Sequence, residues 1–219
     1  GSVLHVDRSS TGSSFFNAEK QWKNLCDATS GAHELIRTRP ATSVSFSSLQ
    51  PNLLASTHPY VVGEEDDLLP FKGLYFLWDA TTDTNAAPHY VLCSSGPPTC
   101  FSFSSTQSFI LLGGTADGTL HLWDLREPSS LHKDRDSTDL GIDRGIRKPC
   151  FSTPTATFGE AGRRDRGDGD GAGLEPDQHA APITQIVAIG GGAVSVSSAA
   201  TVSATSQFAS LDTAGIICL

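Results

Sequence analysis

Methionine is absent from the 219 residues of this sequence, although a complete translation product begins with one. The chain begins with Gly1 and Ser2, so we expect a processed chain or a piece of a longer protein. Long apolar runs are also absent. None approaches the roughly 18–20 residues that a helix needs to cross a bilayer, and the first residues show no signal-peptide pattern. The sequence therefore predicts no membrane insertion.

Basic residues are scarce where the strand pattern is clearest. Residues 41–128 carry two basic groups, Lys72 and Arg126, against nine acidic ones, and residues 181–219 carry no basic group. A nucleic-acid-binding protein needs a basic face that neutralises phosphates, and anionic membranes attract basic segments for the same reason. The charge pattern therefore argues against nucleic acids and membrane surfaces as partners.

Motifs for catalysis, cofactors and metals are missing as well. The five cysteines include no C-x-x-C pair, which favours buried thiols in a reducing compartment over disulfides or a zinc site. The seven histidines include no H-x-x-x-H pair, and neither a phosphate loop nor a G-x-S-x-G elbow occurs. Residues 168–171 resemble the start of a calcium loop, but Ala172 and His179 stand where oxygen ligands are required. We therefore expect no catalytic, cofactor-binding or metal-binding residues and no enzymatic activity.

The feature that is present is an internal repeat, in which a glycine lies five residues before a Trp-Asp pair. One copy runs from Gly73 to Trp78 and Asp79, and a second, 45 residues later, ends at Trp123 and Asp124. A third copy covers residues 215–219 and stops where the next residue would be the tryptophan. A period of this length indicates a repeat architecture. We expect that the chain was cut inside a repeat.

Short segments with alternating apolar residues precede each glycine and predict β-strands. Each unit should therefore contain four short antiparallel strands. In residues 119–124, Leu120 and Leu122 share one face, whereas His121 and Trp123 share the other, where the indole would fill the gap between neighbouring units. The other predicted strands lie at residues 43–46, 53–56, 90–93, 100–103, 110–114, 183–187 and 208–211.

A small set of residues defines the ends of these strands. Asp117 and Gly118 form a favoured two-residue hairpin turn, because glycine accepts positive φ and aspartate bonds its own backbone. The tryptophans are expected to pack between units rather than to stack on a ligand. The complete predicted signature consists of Gly73, Trp78, Asp79, Asp117, Gly118, Trp123, Asp124, Asp212 and Gly215.

The composition divides the chain into four parts. Residues 1–40 are poorly defined and could supply strands of a preceding unit, and residues 41–128 contain two units. Residues 129–180 are charged and rich in glycine, which predicts a disordered polar insertion. Residues 181–219 form a third unit, truncated before its tryptophan. Within the units, the acidic run at 64–67 and the Gly-, Ser- and Ala-rich stretch after residue 189 predict solvated loops.

Units of about 40–45 residues with four strands and a Trp-Asp end resemble the blades of WD-repeat β-propellers. The details resemble the dynein intermediate-chain family, and within it the intermediate chain of intraflagellar-transport (second cytoplasmic) dynein. The resemblance covers roughly residues 41–128 and 181–219, with departures: Lys72 and Ala214 stand where the second unit has Asp117. The segments that carry it are residues 55–56, 73–78, 113–115, 122–127, 179–183 and 208–212.

The resemblance implies an all-β partial propeller of about three blades in a non-catalytic scaffold subunit. In that family the propeller docks on the tail of a dynein heavy chain, and a separate region, not recognisable here, gathers light chains. It implies a place in the cytoplasm, the cytoskeleton and the cilium or flagellum, with a role in intraflagellar transport and cilium assembly.

Two alternatives remain open from the residues alone. One is a WD-repeat adaptor in another assembly, such as a ubiquitin ligase or a chromatin complex, and the other is an enzyme with polar residues at a propeller channel. An open arc of blades also exposes strand edges and blade faces. We therefore expect the isolated chain to be unstable or to aggregate.

Overall fold

The computed structural model describes residues 35–36, 39–60, 69, 72–81, 88–133, 140, 142, 144–154, 179–190 and 206–219. Within these ranges the backbone forms short strands and a 3-10 helix at Ser129–Leu131. The strands are β1 (Ser43–Phe46), β2 (Leu53–His58), β3 (Gly73–Asp79), β4 (Tyr90–Ser94), β5 (Pro98–Phe103), β6 (Ile110–Thr115), β7 (Leu120–Asp124), β8 (Ile146–Arg147), β9 (Phe151–Ser152), β10 (Ile183–Ile189), β11 (Gln207–Asp212) and β12 (Ile217–Cys218).

The strands form three sheets, each built in the order of the sequence. The first blade is β1-β2-β3-β4 with β8 added at its outer edge, the second is β5-β6-β7-β9, and the third is β10-β11-β12. Neighbouring strands are antiparallel except for β4 and β8, which are parallel. The sheets do not close on themselves. The predicted fold class, an all-β partial propeller, is confirmed.

The tight turns explain why glycine recurs ahead of the third strand. Gly118 and Gly215 both adopt φ of 83°, a region that L side chains rarely enter. The carboxylate of Asp117 accepts hydrogen bonds from the Thr115 hydroxyl and from the Thr119 N–H. In the third blade the carboxylate comes from the end of β11, where Asp212 accepts from the N–H groups two and four residues later, both at 2.9 Å. This explains how the third blade tolerates alanine where the second has Asp117.

Gly73 has a different role from Gly118, although both lie five residues before a tryptophan. Its φ is not positive, and it starts a strand rather than a turn. A Cβ at Gly73 would collide with the Pro98 ring and with the carbonyl oxygen of Gly96. The first glycine of the repeat is therefore required because the connection into the second blade passes close to it.

An apolar core fills the space between the first and second blades. The Trp123 indole is 1% exposed and packs against Tyr75, with ring centroids 5.1 Å apart and planes at 63°. Tyr75 also makes an edge contact with Phe101. The buried members of this core are Leu53, Ala55, Tyr75, Leu77, Leu92, Phe101, Phe103, Leu111, Trp123 and Leu125.

Two further clusters cover the outer faces of this pair of blades. Leu120 and Leu122, on the face of β7 opposite Trp123, pack on Ile183 and Ile186 of the third blade. On the far face of the first blade, Trp78 lies in a cluster that includes Leu74, Phe76, Val91, Cys93 and Ile146. Leu35 and Ile36 complete that cluster, so the end of the segment 1–40 packs on the first blade. Residues 1–34 lie outside the described residues.

The insertion after β7 contains structure that the sequence analysis did not predict. Residues 129–180 were expected to be disordered, but the chain crosses from β7 to the first blade, forms β8 beside β4, and returns to form β9 beside β7. Ile146 and Arg147 of β8 are 4% and 3% exposed. Two-residue strands carry too little alternation to be recognised in a sequence. Residues 155–178, 61–68 and 191–205 lie outside the described residues.

Candidate interaction surface

The two complete Trp-Asp pairs of the signature lie at equivalent ends of β3 and β7. Asp79 accepts hydrogen bonds from the N–H and hydroxyl of Thr81, at 2.9 and 2.6 Å, and these bonds hold the pKa of its carboxyl below the ordinary range. The Asp124 carboxylate binds the Arg126 guanidinium at 2.6 Å, and its pKa is lowered for that reason. Each aspartate thus closes the turn that follows its strand.

Trp78 takes part in a buried polar network of the first blade. Its indole Nε1 donates to Ser56 Oγ at 2.9 Å, and Ser56 Oγ lies 2.9 Å from His58 Nε2. The other ring nitrogen, Nδ1, is 2.9 Å from the Arg39 carbonyl oxygen and must donate to it. His58 is therefore the neutral Nδ1–H tautomer, and burial lowers its pKa.

The third blade contains a comparable network that the sequence analysis did not find. Ser210 Oγ lies 2.7 Å from His179 Nε2, and His179 Nδ1 lies 3.0 Å from Asp212 Oδ2. Burial raises the pKa of Asp212, but the Ile216 N–H and His179 bind its carboxylate and bring the pKa below the ordinary value. The only sign of this network in the sequence is the spacing of Ser210 and Asp212, which lie two residues apart on one face of β11.

In hydrolases, the histidine of a Ser-His-Asp chain of this geometry takes the serine proton while the aspartate orients the imidazole, and the serine must reach a substrate. Here Ser210, His179 and Asp212 are at most 4% exposed. The serine is enclosed between strand and loop, so the network can hold the loop before β10 against β11 but offers no surface to a substrate.

The second blade replaces this network by an aromatic contact. Ser56, Gly113 and Ser210 occupy the same place in β2, β6 and β11. At Gly113 a Cβ would lie 2.6 Å from Tyr75 Oη, because the phenol enters from the first blade and donates to the Gly114 carbonyl at 3.0 Å. Trp123 Nε1 consequently has no hydrogen-bond partner in the described part of the chain.

His121 provides the polar contacts of the second blade. Its Nδ1 lies 2.7 Å from Ser152 Oγ in β9, and its Nε2 lies 3.2 Å from Ser95 Oγ in the loop after β4. Burial lowers its pKa. The imidazole thereby joins the outer strand of its own blade to the first blade. Each of the three blades thus buries a histidine bonded to a serine hydroxyl.

The surface between the first two blades carries a cleft of about 340 Å³. Its floor includes Leu53, Tyr90 and Phe109, and its wall includes Arg126, which lies over the Phe109 ring at 3.6 Å from the centroid. Aromatic faces with adjacent cations are typical of protein-interaction surfaces. Of the predicted signature residues, Asp79 lines this cleft. Leu53, Tyr90, Phe109 and Arg126 carry no binding motif in the sequence, because they come from separate strands and loops.

No group of three or more His, Cys, Asp or Glu side chains in the described ranges is placed to hold a metal ion. None of the helices there is long and apolar enough to cross a membrane.

The fold and the buried networks define a class, an open arc of β-propeller blades. In sequence, the chain is similar to mouse cytoplasmic dynein 2 intermediate chain 1, with 28% identity over 134 residues, which is 59% of this chain and 13% of the relative. It is also similar to the human protein of that name, with 32% identity over 97 residues, which is 44% of this chain and 9% of the relative.

These matches confirm the relation to dynein intermediate chains that the blade motifs predicted. The chain spans about a tenth of the length of the relatives it matches. No protein-family model matches it.

Proposed function

We propose that this chain is part of a non-catalytic scaffold subunit of a dynein motor complex. In this proposal its WD-repeat propeller docks on the tail of the heavy chain, and the complex serves intraflagellar transport and cilium assembly. The observation that carries the proposal is the similarity to two dynein 2 intermediate chains over 134 and 97 residues. Light chains would bind elsewhere in the full-length protein.

The architecture suits a scaffold. Stacked blades fix many loops on a rigid frame, which offers several binding surfaces at once. The buried histidines and serines bond to each other inside the blades, where they join strands and loops. The pairs are His58 with Ser56 and His179 with Ser210. This use of the histidines supports a binding role over an enzymatic one, the third possibility raised by the sequence.

The test is recovery of partners by the full-length protein. A tagged copy expressed in ciliated cells at native level should co-purify with a dynein heavy chain and other dynein subunits, measured by quantitative mass spectrometry, and should localise to the cilium. The same experiment includes the disruptive variant Gly113→Trp. Its side chain would block the contact between the first two blades, so heavy-chain recovery should fall.

Recovery of ubiquitin-ligase or chromatin subunits in stoichiometric amounts, without any motor subunit, would establish the adaptor alternative and reject the dynein proposal. Equal heavy-chain recovery by the Gly113→Trp variant would show that the propeller is not the docking element.

A further inference from the structure

Thr153 differs from every other hydroxyl-bearing residue of the chain in its sequence context. The sequence contains 12 prolines, and Thr153 is the only serine or threonine that directly precedes one. Proline lacks an N–H, and it keeps the residue before it in an extended conformation. Proline-directed protein kinases bind an extended peptide and select proline directly after the acceptor hydroxyl. The dipeptide of Thr153 and Pro154 therefore matches that class of enzyme.

Thr153 follows β9, the strand at the outer edge of the second blade. This strand is two residues long and pairs with β7. Directly after it, the Thr153 N–H donates to the Leu120 carbonyl oxygen at 2.9 Å. The Leu120 N–H in turn donates to Thr153 Oγ1, also at 2.9 Å. The threonine hydroxyl thus takes the place of a main-chain acceptor where the ladder between the two strands ends.

The strand β9 is held to its blade mainly by hydrogen bonds. Phe151 is 59% exposed, and Ser152 is exposed as well, so the strand buries little apolar surface. Pro154 is also exposed. Edge segments with few buried apolar contacts open locally at a small cost in free energy. Local opening of β9 presents Thr153 and Pro154 to another protein without unfolding the blade.

We propose that Thr153 is a phosphorylation site for a proline-directed serine/threonine kinase and that phosphorylation releases β9 from β7. In the reaction, Thr153 Oγ1 forms a bond to the γ-phosphorus of ATP, the bond from that phosphorus to the β,γ-bridging oxygen breaks, and ADP leaves. The hydroxyl proton passes to a base of the kinase. This regulatory site goes beyond the proposed scaffold function.

A phosphoryl group on Thr153 is incompatible with the closed strand. It carries a charge of about −1.5 to −2 at neutral pH, on the oxygen that lies 2.9 Å from the Leu120 nitrogen. Leu120 packs on the apolar cluster that contains Ile183. A single N–H there does not replace the water that a phosphate loses against an apolar surface. The modified strand should therefore stay open.

Opening of β9 also loosens the junction between the first two blades. Ser152 Oγ lies 2.7 Å from His121 Nδ1, and this contact is lost when β9 leaves β7. The imidazole of His121 then keeps only its bond to Ser95 of the first blade. Phosphorylation of an edge residue would in this way act on the contact that His121 makes between blades.

The first experiment measures phosphate incorporation into the full 219-residue chain by a proline-directed kinase with ATP. Intact mass and tandem mass spectrometry should show a single phosphate, located on Thr153. Pro154→Ala should slow incorporation about tenfold or more, because the alanine N–H has no partner in a kinase site shaped for proline. Thr153→Val should abolish it. Thr213→Val, at an exposed threonine that alanine follows, is the matched control and should incorporate phosphate like the wild type.

The second experiment tests strand release by amide hydrogen exchange of the phosphorylated and unmodified chains. Phosphorylation should speed exchange about tenfold in peptides that cover β7 and β9, and leave the peptide that covers β1 and β2 unchanged. Thr153→Val removes the acceptor of the Leu120 N–H without adding charge, so it should speed exchange by a smaller factor.

The third measurement identifies the modification in cells. A tagged full-length protein, purified from ciliated cells treated with phosphatase inhibitors, should yield the peptide phosphorylated at Thr153.

The proposal is overturned by a wild-type chain that incorporates no phosphate, by incorporation that persists in Thr153→Val, or by equal rates for the wild type and Pro154→Ala. Unchanged hydrogen exchange after phosphorylation would overturn it as well, and so would recovery of the Thr153 peptide from cells in its unmodified form alone. None of these measurements involves a dynein subunit, so their outcome is independent of the proposed function.

Discussion

At the scale of single residues, one position in the second strand of each blade decides how that blade is held together. Ser56 and Ser210 bond a buried histidine there, whereas Gly113 admits the Tyr75 ring from the neighbouring blade. The exchange replaces a polar contact within a blade by an aromatic contact between blades. The sequence shows the glycine but not its cause, because Tyr75 lies 38 residues earlier in the chain.

Gly113→Ala should destabilise the protein by overpacking. The added methyl group would lie 2.6 Å from Tyr75 Oη and 2.9 Å from Trp123 Cζ3, both in a core that cannot relax easily. We expect a loss of about 1–3 kcal/mol in the free energy of unfolding, measured by urea denaturation. Gly190→Ala, where a Cβ meets no atom within 4 Å, is the control. Equal stability of the two variants would show that the Tyr75 contact is not tight.

The buried histidines should make stability fall on mild acidification. Burial lowers the pKa of His58 and His121 from the ordinary value of 6.5, so the unfolded chain takes up protons more readily than the folded one near that pH. Stability is then fully present above pH 6.5 and is lost as the pH falls below it. The lowered pKa values of Asp79 and Asp124 act only below about pH 4.

The melting temperature should therefore decrease between pH 7.5 and pH 5.5. The variant His121→Gln, which cannot titrate in this range, should be less stable at pH 7.5 but show a smaller decrease. A melting temperature that rises on acidification, or an unchanged slope in the variant, would contradict this assignment.

At the scale of secondary-structure elements, the crossing made by β8 and β9 is the main departure from a simple array of blades. β8 extends the first blade, β9 completes the second, and only a few residues separate them. Both blades therefore depend on one insertion. The alternating strands β1, β5 and β10 were readable from the sequence, since they contain enough residues to show the period of two.

Ile146→Ala tests whether β8 is an integral strand. The side chain is 4% exposed and packs in the cluster of Trp78 and Val91. Its truncation should cost about 2–5 kcal/mol in the free energy of unfolding. Leu131→Ala, at a side chain that is 66% exposed, should change stability by less than about 0.5 kcal/mol. A neutral Ile146→Ala variant would mean that the insertion does not pack on the first blade.

At the scale of the whole molecule, both ends of the arc expose apolar side chains. Val187, Ile189 and Ile217 share the outer face of the third blade, and Val44 and Phe46 lie on the first. The faces between the blades are filled by cores, and Leu35 and Ile36 cover the part of the first blade around Trp78, whereas these five side chains remain exposed. Exposed apolar sheet faces promote association.

The 219-residue chain should therefore self-associate, as the sequence analysis expected. Ile217→Lys, which places a charge where the side chain is 67% exposed, should increase the monomer fraction in light scattering coupled to size exclusion. Thr213→Lys, in the exposed turn between β11 and β12, adds the same charge away from the apolar face and should have little effect. A fully monomeric wild-type chain with a sharp, reversible thermal transition would contradict the prediction.

The sequence alone determined the repeat, the long strands, the Trp-Asp ends and the all-β arc, because alternation and turn chemistry are local properties of neighbouring residues. The tertiary structure decided which side chains meet: Tyr75 with Gly113, His179 with Ser210 and Asp212, and Arg147 with Tyr90. These contacts join residues 31 to 57 positions apart, and no local period encodes them. Strand pairing brings these residues together. β8 in particular pairs in parallel with β4, and the pattern of neighbouring residues in the sequence does not identify that partner.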